Sequence, residues 1–223
     1  MLIDIVSDTV CPWCFIGKRR LERALAQRPG IEVQIGWRPF ELNPDMPPAG
    51  LDRAQYLQLK FGGVERAGRI YATIANAGAE EGIDFRFDRI KRTPNTIASH
   101  RLIRWSAGQN KQDAVVEKLF TTYFIQGEDI GDPEVLATIA RDAGMDPDLT
   151  RELLARGDDV EVVKAEEQVA RRMGINGVPC FIIDRKYAIS GAQDPAVLLQ
   201  VFDLAVREAA VAAEAEPAPA GAS

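Results

Sequence analysis

Two cysteines set at the seam between a strand and a helix constrain this chain more than any other feature. Leu2-Ile3-Asp4-Ile5-Val6 is rich in β-branched residues and reads as a short strand. Cys11-Pro12-Trp13-Cys14 follows, and beyond it Phe15, Ile16, Leu21 and Leu25 recur at near-helical spacing, with Lys18, Arg19, Arg20, Glu22 and Arg23 between them. A helix opening here has first-turn N–H groups without intrahelical partners, and its dipole places partial positive charge there. A thiolate at Cys11 is stabilised by both, which raises the share of nucleophile near neutral pH. Cys14, three residues on, shares a helical face with Cys11 within disulfide reach. The expectation is that Cys11 faces solvent and Cys14 is tucked one turn inside. Pro12 suits the first turn, where its missing N–H costs little, and Trp13 adds an apolar rim. Exchange chemistry then orders the events: Cys11 attacks or is attacked, a mixed disulfide forms, and Cys14 resolves it.

Other uses of a C-x-x-C pair compete with this one. Half of a zinc site is one, but the chain offers only Cys180 and His100 beyond the pair, so four ligands would consume every cysteine and the single histidine. Two cysteines buried as small hydrophobes are another. Three cysteines in 223 residues are too few for a structural disulfide framework. The net charge of -6 argues against a general nucleic-acid or anionic-membrane surface. No apolar run is long enough to span a bilayer. The chain opens on Met1-Leu2-Ile3-Asp4 without a basic n-region, so a cytoplasmic location is expected unless a leader was removed.

The rest of the chain supplies the frame. Ile31–Trp37 alternates with period two, completing a βαβ unit whose strands should be parallel and whose crossover should be right-handed. A proline-rich loop over 38–50 follows. From 51 to 173 the pattern is helical almost throughout, with expected helices at 51–61, 64–77, 95–107, 111–124, 133–143, 147–155 and 159–173. Asp132-Pro133 and Asp146-Pro147 each offer a capping aspartate and a proline at the first helical position, and Gly144, Gly157 and Gly174 fall just past helix ends. Strand signal returns at 177–184, a tight turn at Arg185-Lys186 leads to a partner at Tyr187–Ser190, and Asp194-Pro195 opens a last helix to about Ala210. Residues 212–223 are rich in Ala, Glu, Pro and Gly and read as a disordered tail. The order is β-α-β, helical insertion, β-β-α: a thioredoxin-type α/β fold from 1–50 and 174–211, interrupted by an all-helical insertion subdomain at 51–173.

Three separated motifs carry a resemblance. Ser7-Asp8 with Cys11-Pro12-Trp13-Cys14-Phe15-Ile16-Gly17-Lys18, then Pro94-Asn95-Thr96 with His100-Arg101-Leu102, then Gly177-Val178-Pro179 with Ser190-Gly191-Ala192-Gln193, together resemble the FrnE-like branch of the DsbA family. The resemblance spans nearly the whole chain except the tail. It implies a thioredoxin fold with a helical insertion, a cytosolic thiol–disulfide oxidoreductase or isomerase, and a cis proline at Pro179 lying against the dithiol. Independently of the family, such a proline has no N–H to compete for a thiolate, and it leaves the Val178 backbone free to pair with an extended substrate.

Other residues keep two readings each. His100 is either a satisfied helix histidine or a pocket wall near the dithiol. Asp8 either opposes thiolate formation or is a turn residue. Asn95 reads first as a helix cap and Ser190 and Gly191 as neighbours of the pocket. Cys180, where the family commonly has an aromatic or aliphatic residue, is either a buried small hydrophobe or a third redox thiol. Arg86, Arg89, Lys91 and Arg92 form a basic run that is either a solvated face or, if it borders the pocket, a preference for acidic ligands such as glutathione.

The leading expectation is a dithiol oxidoreductase acting on protein or small-molecule disulfides, with no bound cofactor or metal and glutathione as a redox partner. The first alternative is a glutathione-dependent isomerase or transferase of the chromene-carboxylate isomerase or kappa type. Those enzymes typically carry serine at the position of Cys11, and two intact cysteines speak against it. The second is a non-catalytic holdase.

Overall fold

The computed structural model describes residues 1–215, with side chains through residue 211. It opens with β1 (Leu2–Ser7), α1 (Pro12–Ala26) and β2 (Gln34–Pro39). β1 and β2 are parallel, with Leu2 opposite Gln34 and Ser7 opposite Pro39. That register sets the limits of β2, which starts three residues later than the alternation from Ile31 suggests. Ile31 and Val33 still pack on the core, ahead of the ladder.

The insertion then runs through β3 (Leu51–Asp52), α2 (Arg53–Phe61), α3 (Val64–Glu80), β4 (Arg92–Thr93), α4 (Ile97–Ala107), α5 (Gln112–Thr121), a π-helical turn at Thr122–Gln126, α6 (Pro133–Asp142), α7 (Pro147–Arg156) and α8 (Val160–Arg172). It is helical apart from the two-residue antiparallel pairing of β3 with β4. The capping signals act as read: Asp132 accepts from the Glu134 N–H at 2.7 Å, and Asp146 from the Asp148 N–H at 2.9 Å. Gly144, Gly157 and Gly174 adopt φ of 77°, 73° and 84° at the ends of α6, α7 and α8, a conformation that only glycine takes without cost.

The chain returns to the sheet as β5 (Cys180–Ile183) and β6 (Tyr187–Ser190), then closes with α9 (Pro195–Ala215). The sheet order is β2-β1-β5-β6, with β5 antiparallel to β1 and to β6. This is a thioredoxin-like fold whose two halves are separated by the helical insertion. α9 continues past Ala210 to Ala215, so the expected tail starts too early. Its first four residues extend a helix whose alanines and glutamates favour that state. Residues 216–223 of the expected tail lie outside the described residues.

Alternation along the strands divides the core. Ile3, Ile5, Phe181 and Ile183 face one side with Leu198 and Phe202 of α9, while Val6 and Cys180 face the other with Phe40 and Ala170. Directly after the dithiol, Phe15 stacks on Phe120 at 5.1 Å and meets Phe85 edge-on at 6.0 Å, anchoring α1 to the insertion. Arg20 bonds Glu81 at 2.9 Å and the Ala192 carbonyl at 2.6 Å, tying α1 to the ends of α3 and β6. Lys18 is buried beside Glu22, Asp113 and Glu117, the latter two at 3.1 Å, and pins the same helix to α5.

Candidate active site

Cys11 is the N-terminal cap of α1, in an extended conformation, with Pro12 at the first helical position. The Cys11 N–H donates to the Asp8 carbonyl at 3.1 Å, and the Cys14 N–H donates to the Cys11 carbonyl at 3.0 Å. The dithiol therefore sits on a closed turn at the strand-to-helix junction that the sequence indicates. Cys14 is 1% exposed. Burial pushes its thiol well above the usual cysteine range, and its hydrogen bond with the Cys11 thiol adds to the shift, while Ser7 and the Asp8 backbone oppose it. Cys14 is thereby held in its protonated form.

The expectation that Cys11 faces solvent is corrected: it is 3% exposed. Its thiol turns toward the protein and donates to the Val178 carbonyl at 3.7 Å. Tyr71 of α3 lies close enough for the Cys11 sulfur to help raise its phenol, after the dominant effect of burial. Trp13 and Val178, both half-buried, pack against the same cluster. The cover comes from the insertion and from the β5 entry, which a local reading of C-P-W-C does not contain.

The Val178–Pro179 peptide bond is cis. Pro179 is buried, and its carbonyl accepts the Gly191 N–H at 2.8 Å. Gly191 has φ of 82°, which bends the chain back onto the proline. On the other side, a Cβ at Gly17 would come within 2.9 Å of Pro179 Cγ and 3.1 Å of Phe181 Cζ. Glycine at this turn of α1 is what lets the helix approach the proline.

The remaining candidates divide. Asp8 is fully buried; its carboxylate accepts the Leu42 N–H at 2.7 Å and lies 3.6 Å from His100 Nε2. His100 Nε2 is also 3.2 Å from the Phe40 carbonyl, so this histidine is engaged by the loop after β2. The expected cap is corrected: Thr96 holds the N-cap position of α4, and Asn95, one residue before it, accepts the Ile97 N–H at 3.0 Å in a turn and holds that loop by donating to the Met46 carbonyl at 2.9 Å. Ser190 is exposed at the end of β6, paired across the ladder with Cys180. Cys180 is buried with Val6 and Phe40 on the face of the sheet away from the dithiol, where it packs as a small hydrophobe. The basic run is engaged by its own chain: Arg86 with Asp88 at 3.2 Å, Arg89 with the Ile125 carbonyl at 3.2 Å, and Arg92 with Asp129 at 3.4 Å.

Two groups near the site have no local signal in the sequence. Glu41, 5% exposed, faces Glu167 and Lys164 of α8, His100 of α4 and Asp8, and its Oε1 has no hydrogen-bond partner among the described residues. Burial, then Glu167, pushes its carboxyl up to about 7. The second group is Arg53 with Tyr56 and Tyr71, brought together by the two helices of the α2–α3 pair. A cavity of about 370 Å³ between β2 and α4 reaches the dithiol region only through Ser7 and His100.

Known proteins resemble this chain in sequence and in fold. A Bacillus subtilis (strain 168) protein, YwbO, is 27% identical over 183 residues, covering 81% of this chain and 86% of that protein. A probable DsbA oxidoreductase from Streptomyces coelicolor, SCO1869, superposes with a TM-score of 0.83 at 31% identity, covering 100% of this chain and 93% of that one. DsbM from Pseudomonas aeruginosa, described as a cytosolic disulfide reductase and solved with GSH, shares the fold at a TM-score of 0.63 and 15% identity, covering 93% of this chain and 100% of that one. A family profile described as DSBA-like thioredoxin domain matches residues 2–203. The chain belongs to the DSBA-like thioredoxin domain family.

Proposed function

We propose that this protein is a cytosolic thiol–disulfide oxidoreductase of the FrnE-like branch, with Cys11 as the exchanging sulfur and Cys14 as the resolving one. The observation that carries the reading is the turn that sets Cys11 and Cys14 together at the start of α1, the Cys14 N–H donating to the Cys11 carbonyl at 3.0 Å, with the Val178 carbonyl, next to the cis proline, facing Cys11. In the reducing direction, the Cys11 thiolate attacks one sulfur of a substrate disulfide and the other sulfur leaves as a thiolate, which takes up a proton. Cys14 then loses its proton and attacks the Cys11 sulfur, expelling the second substrate thiol. Two electrons pass to the substrate, and the protein is left with a Cys11–Cys14 disulfide. Run backwards, the same steps oxidise a dithiol.

Because Cys11 is covered, a substrate gains the sulfur when the α2–α3 pair moves aside, and an extended segment can then pair with the Val178 backbone. Glutathione as the redox partner is supported by its presence with DsbM. The cytosolic setting is supported by cysteine economy: three cysteines in 223 residues, two of them in the exchanging pair, are too few for a structural disulfide framework. The test is thiol trapping of the protein across a glutathione redox series. The expected result is a single two-electron transition confined to Cys11 and Cys14, with Cys180 unchanged. Independent titration of the cysteines, or none, would refute the assignment.

A further inference from the structure

The α2–α3 pair carries a charged group that the exchange chemistry leaves unused. The Arg53 guanidinium stands over two aromatic rings, 5.5 Å from the Tyr56 centroid and 5.1 Å from that of Tyr71. One of its nitrogens donates to Thr93 Oγ1 at 3.0 Å. Arg53 is half-buried, yet among the described residues no carboxylate lies within ion-pair distance of it. Its situation contrasts with that of other partly buried arginines: Arg19 is paired with Glu117, Arg20 with Glu81 and Arg104 with Glu166. A chain with a net charge of -6 has acids to spare, and none is placed here.

A guanidinium withdrawn from water without a counter-ion is costly, and its planar fork fits a carboxylate through two parallel hydrogen bonds. Phenol hydroxyls beside it can complete the donor set. Tyr71 connects the two features: its ring lies 5.1 Å from the Arg53 guanidinium, and the side chain packs against the core cluster that includes Cys11. A carboxylate seated on Arg53 therefore leaves the rest of a small molecule within reach of Cys11.

We propose that Arg53, flanked by Tyr56 and Tyr71, is a specificity subsite for a carboxylate carried on the disulfide substrate, so that small acidic disulfides are exchanged in preference to neutral or cationic ones. The inference rests on the reading of Cys11 as the exchanging thiol. The carboxylate positions the substrate and takes no part in electron transfer. Cys11 displaces one acidic thiol, Cys14 displaces the other, and the protein retains the intrachain disulfide.

The experiment uses the reduced full chain and three disulfides of similar length: dithiodipropionate, hydroxyethyl disulfide and cystamine, which are anionic, neutral and cationic. Rates of oxidation of the Cys11–Cys14 pair are followed by acid quench and mass spectrometry, each divided by the rate of the same disulfide with free dithiothreitol. The wild type should prefer the acid over the neutral disulfide by roughly tenfold or more, the scale of a charge-assisted bidentate contact. Arg53→Met should bring that ratio close to unity, and Arg53→Lys, which keeps the charge but not the fork, should hold an intermediate value. Because the readout is a ratio within each variant, a general loss of activity does not mimic the effect. An equal ratio in the wild type and Arg53→Met, or no acid preference in the wild type, overturns the subsite. Failure of all three disulfides to oxidise the pair would instead overturn the exchange reading on which it rests.

Discussion

Gly17 and Pro179 meet so closely that a Cβ on the glycine would lie 2.9 Å from the proline ring carbon Cγ. The contact joins the helix that begins with the dithiol to the cis proline that faces it, and so fixes the distance between the two halves of the site.

Gly17→Ala should therefore push α1 away from β5, since Pro179 and Phe181 are both buried and neither end is a flexible side chain. Overpacking of this kind costs about 1–3 kcal/mol. Chemical denaturation should show a loss of that size, together with a drop in disulfide-exchange rate larger than that of an alanine placed at exposed Gly68, where a Cβ would meet nothing within 4 Å. Unchanged stability and exchange would mean that α1 has room to give.

Lys18 should behave as a structural cation. Burial alone would lower its pKa, but Glu22, Asp113 and Glu117 outweigh it and hold it above the ordinary lysine value. A raised lysine contributes stability that is present below the unfolded value and lost as pH rises through the folded one, so its contribution is intact at neutral pH. Lys18→Met should cost roughly 2 kcal/mol, less than the ~3–5 kcal/mol of a fully buried pair because the three carboxylates keep contact with water. Urea unfolding at neutral pH measures it.

Glu41 gives the opposite dependence. A carboxyl whose folded value, about 7, lies above the unfolded one holds a proton that the unfolded chain releases. Stability is then lost progressively as pH rises from about 4.3 and the loss is complete past the folded value. Glu41→Gln should remove that loss, gaining roughly 2 kcal/mol above about pH 8 and next to nothing below about pH 4. A gain independent of pH would place the ionisation elsewhere.

The thioredoxin-like halves were legible because their signals are local. β-branched runs, a cysteine pair at a helix start and Asp-Pro caps each act within a few residues of themselves, and Asp132 and Asp146 cap as read. Pro179, His100 and Asn95 stand out by their motifs; the satisfied histidine matches the contact found, whereas the cap position of α4 belongs to Thr96, one residue past Asn95. What stayed hidden depends on distant packing. The cover over Cys11 draws on residues far along the chain: the Val178 carbonyl accepts its thiol, and Tyr71, sixty positions on, packs from α3 against the core cluster that includes Cys11. Lys18 reads as one more surface charge of α1 until α5 brings two carboxylates to it. The same holds for Arg53, whose meaning lies in an acid that is missing.

Tyr71→Ala should uncover Cys11. With the phenol gone from α3, the rate of alkylation of the reduced protein by iodoacetamide at Cys11 should rise about threefold or more, with Cys14 still protected by its burial. Peptide mass spectrometry of quenched samples separates the two sites. An unchanged rate would mean that α3 does not limit access.

The most direct measurement of the central claim is a single turnover of Cys14→Ala with glutathione disulfide, read by intact-mass and peptide mass spectrometry. The account predicts one glutathione adduct, located on Cys11, that persists until an external thiol is added, while the wild type passes to the intrachain disulfide without accumulating it. An adduct on Cys180, or the same transient behaviour in both proteins, would contradict the assignment of Cys11 as the exchanging sulfur and Cys14 as the one that releases what it captures.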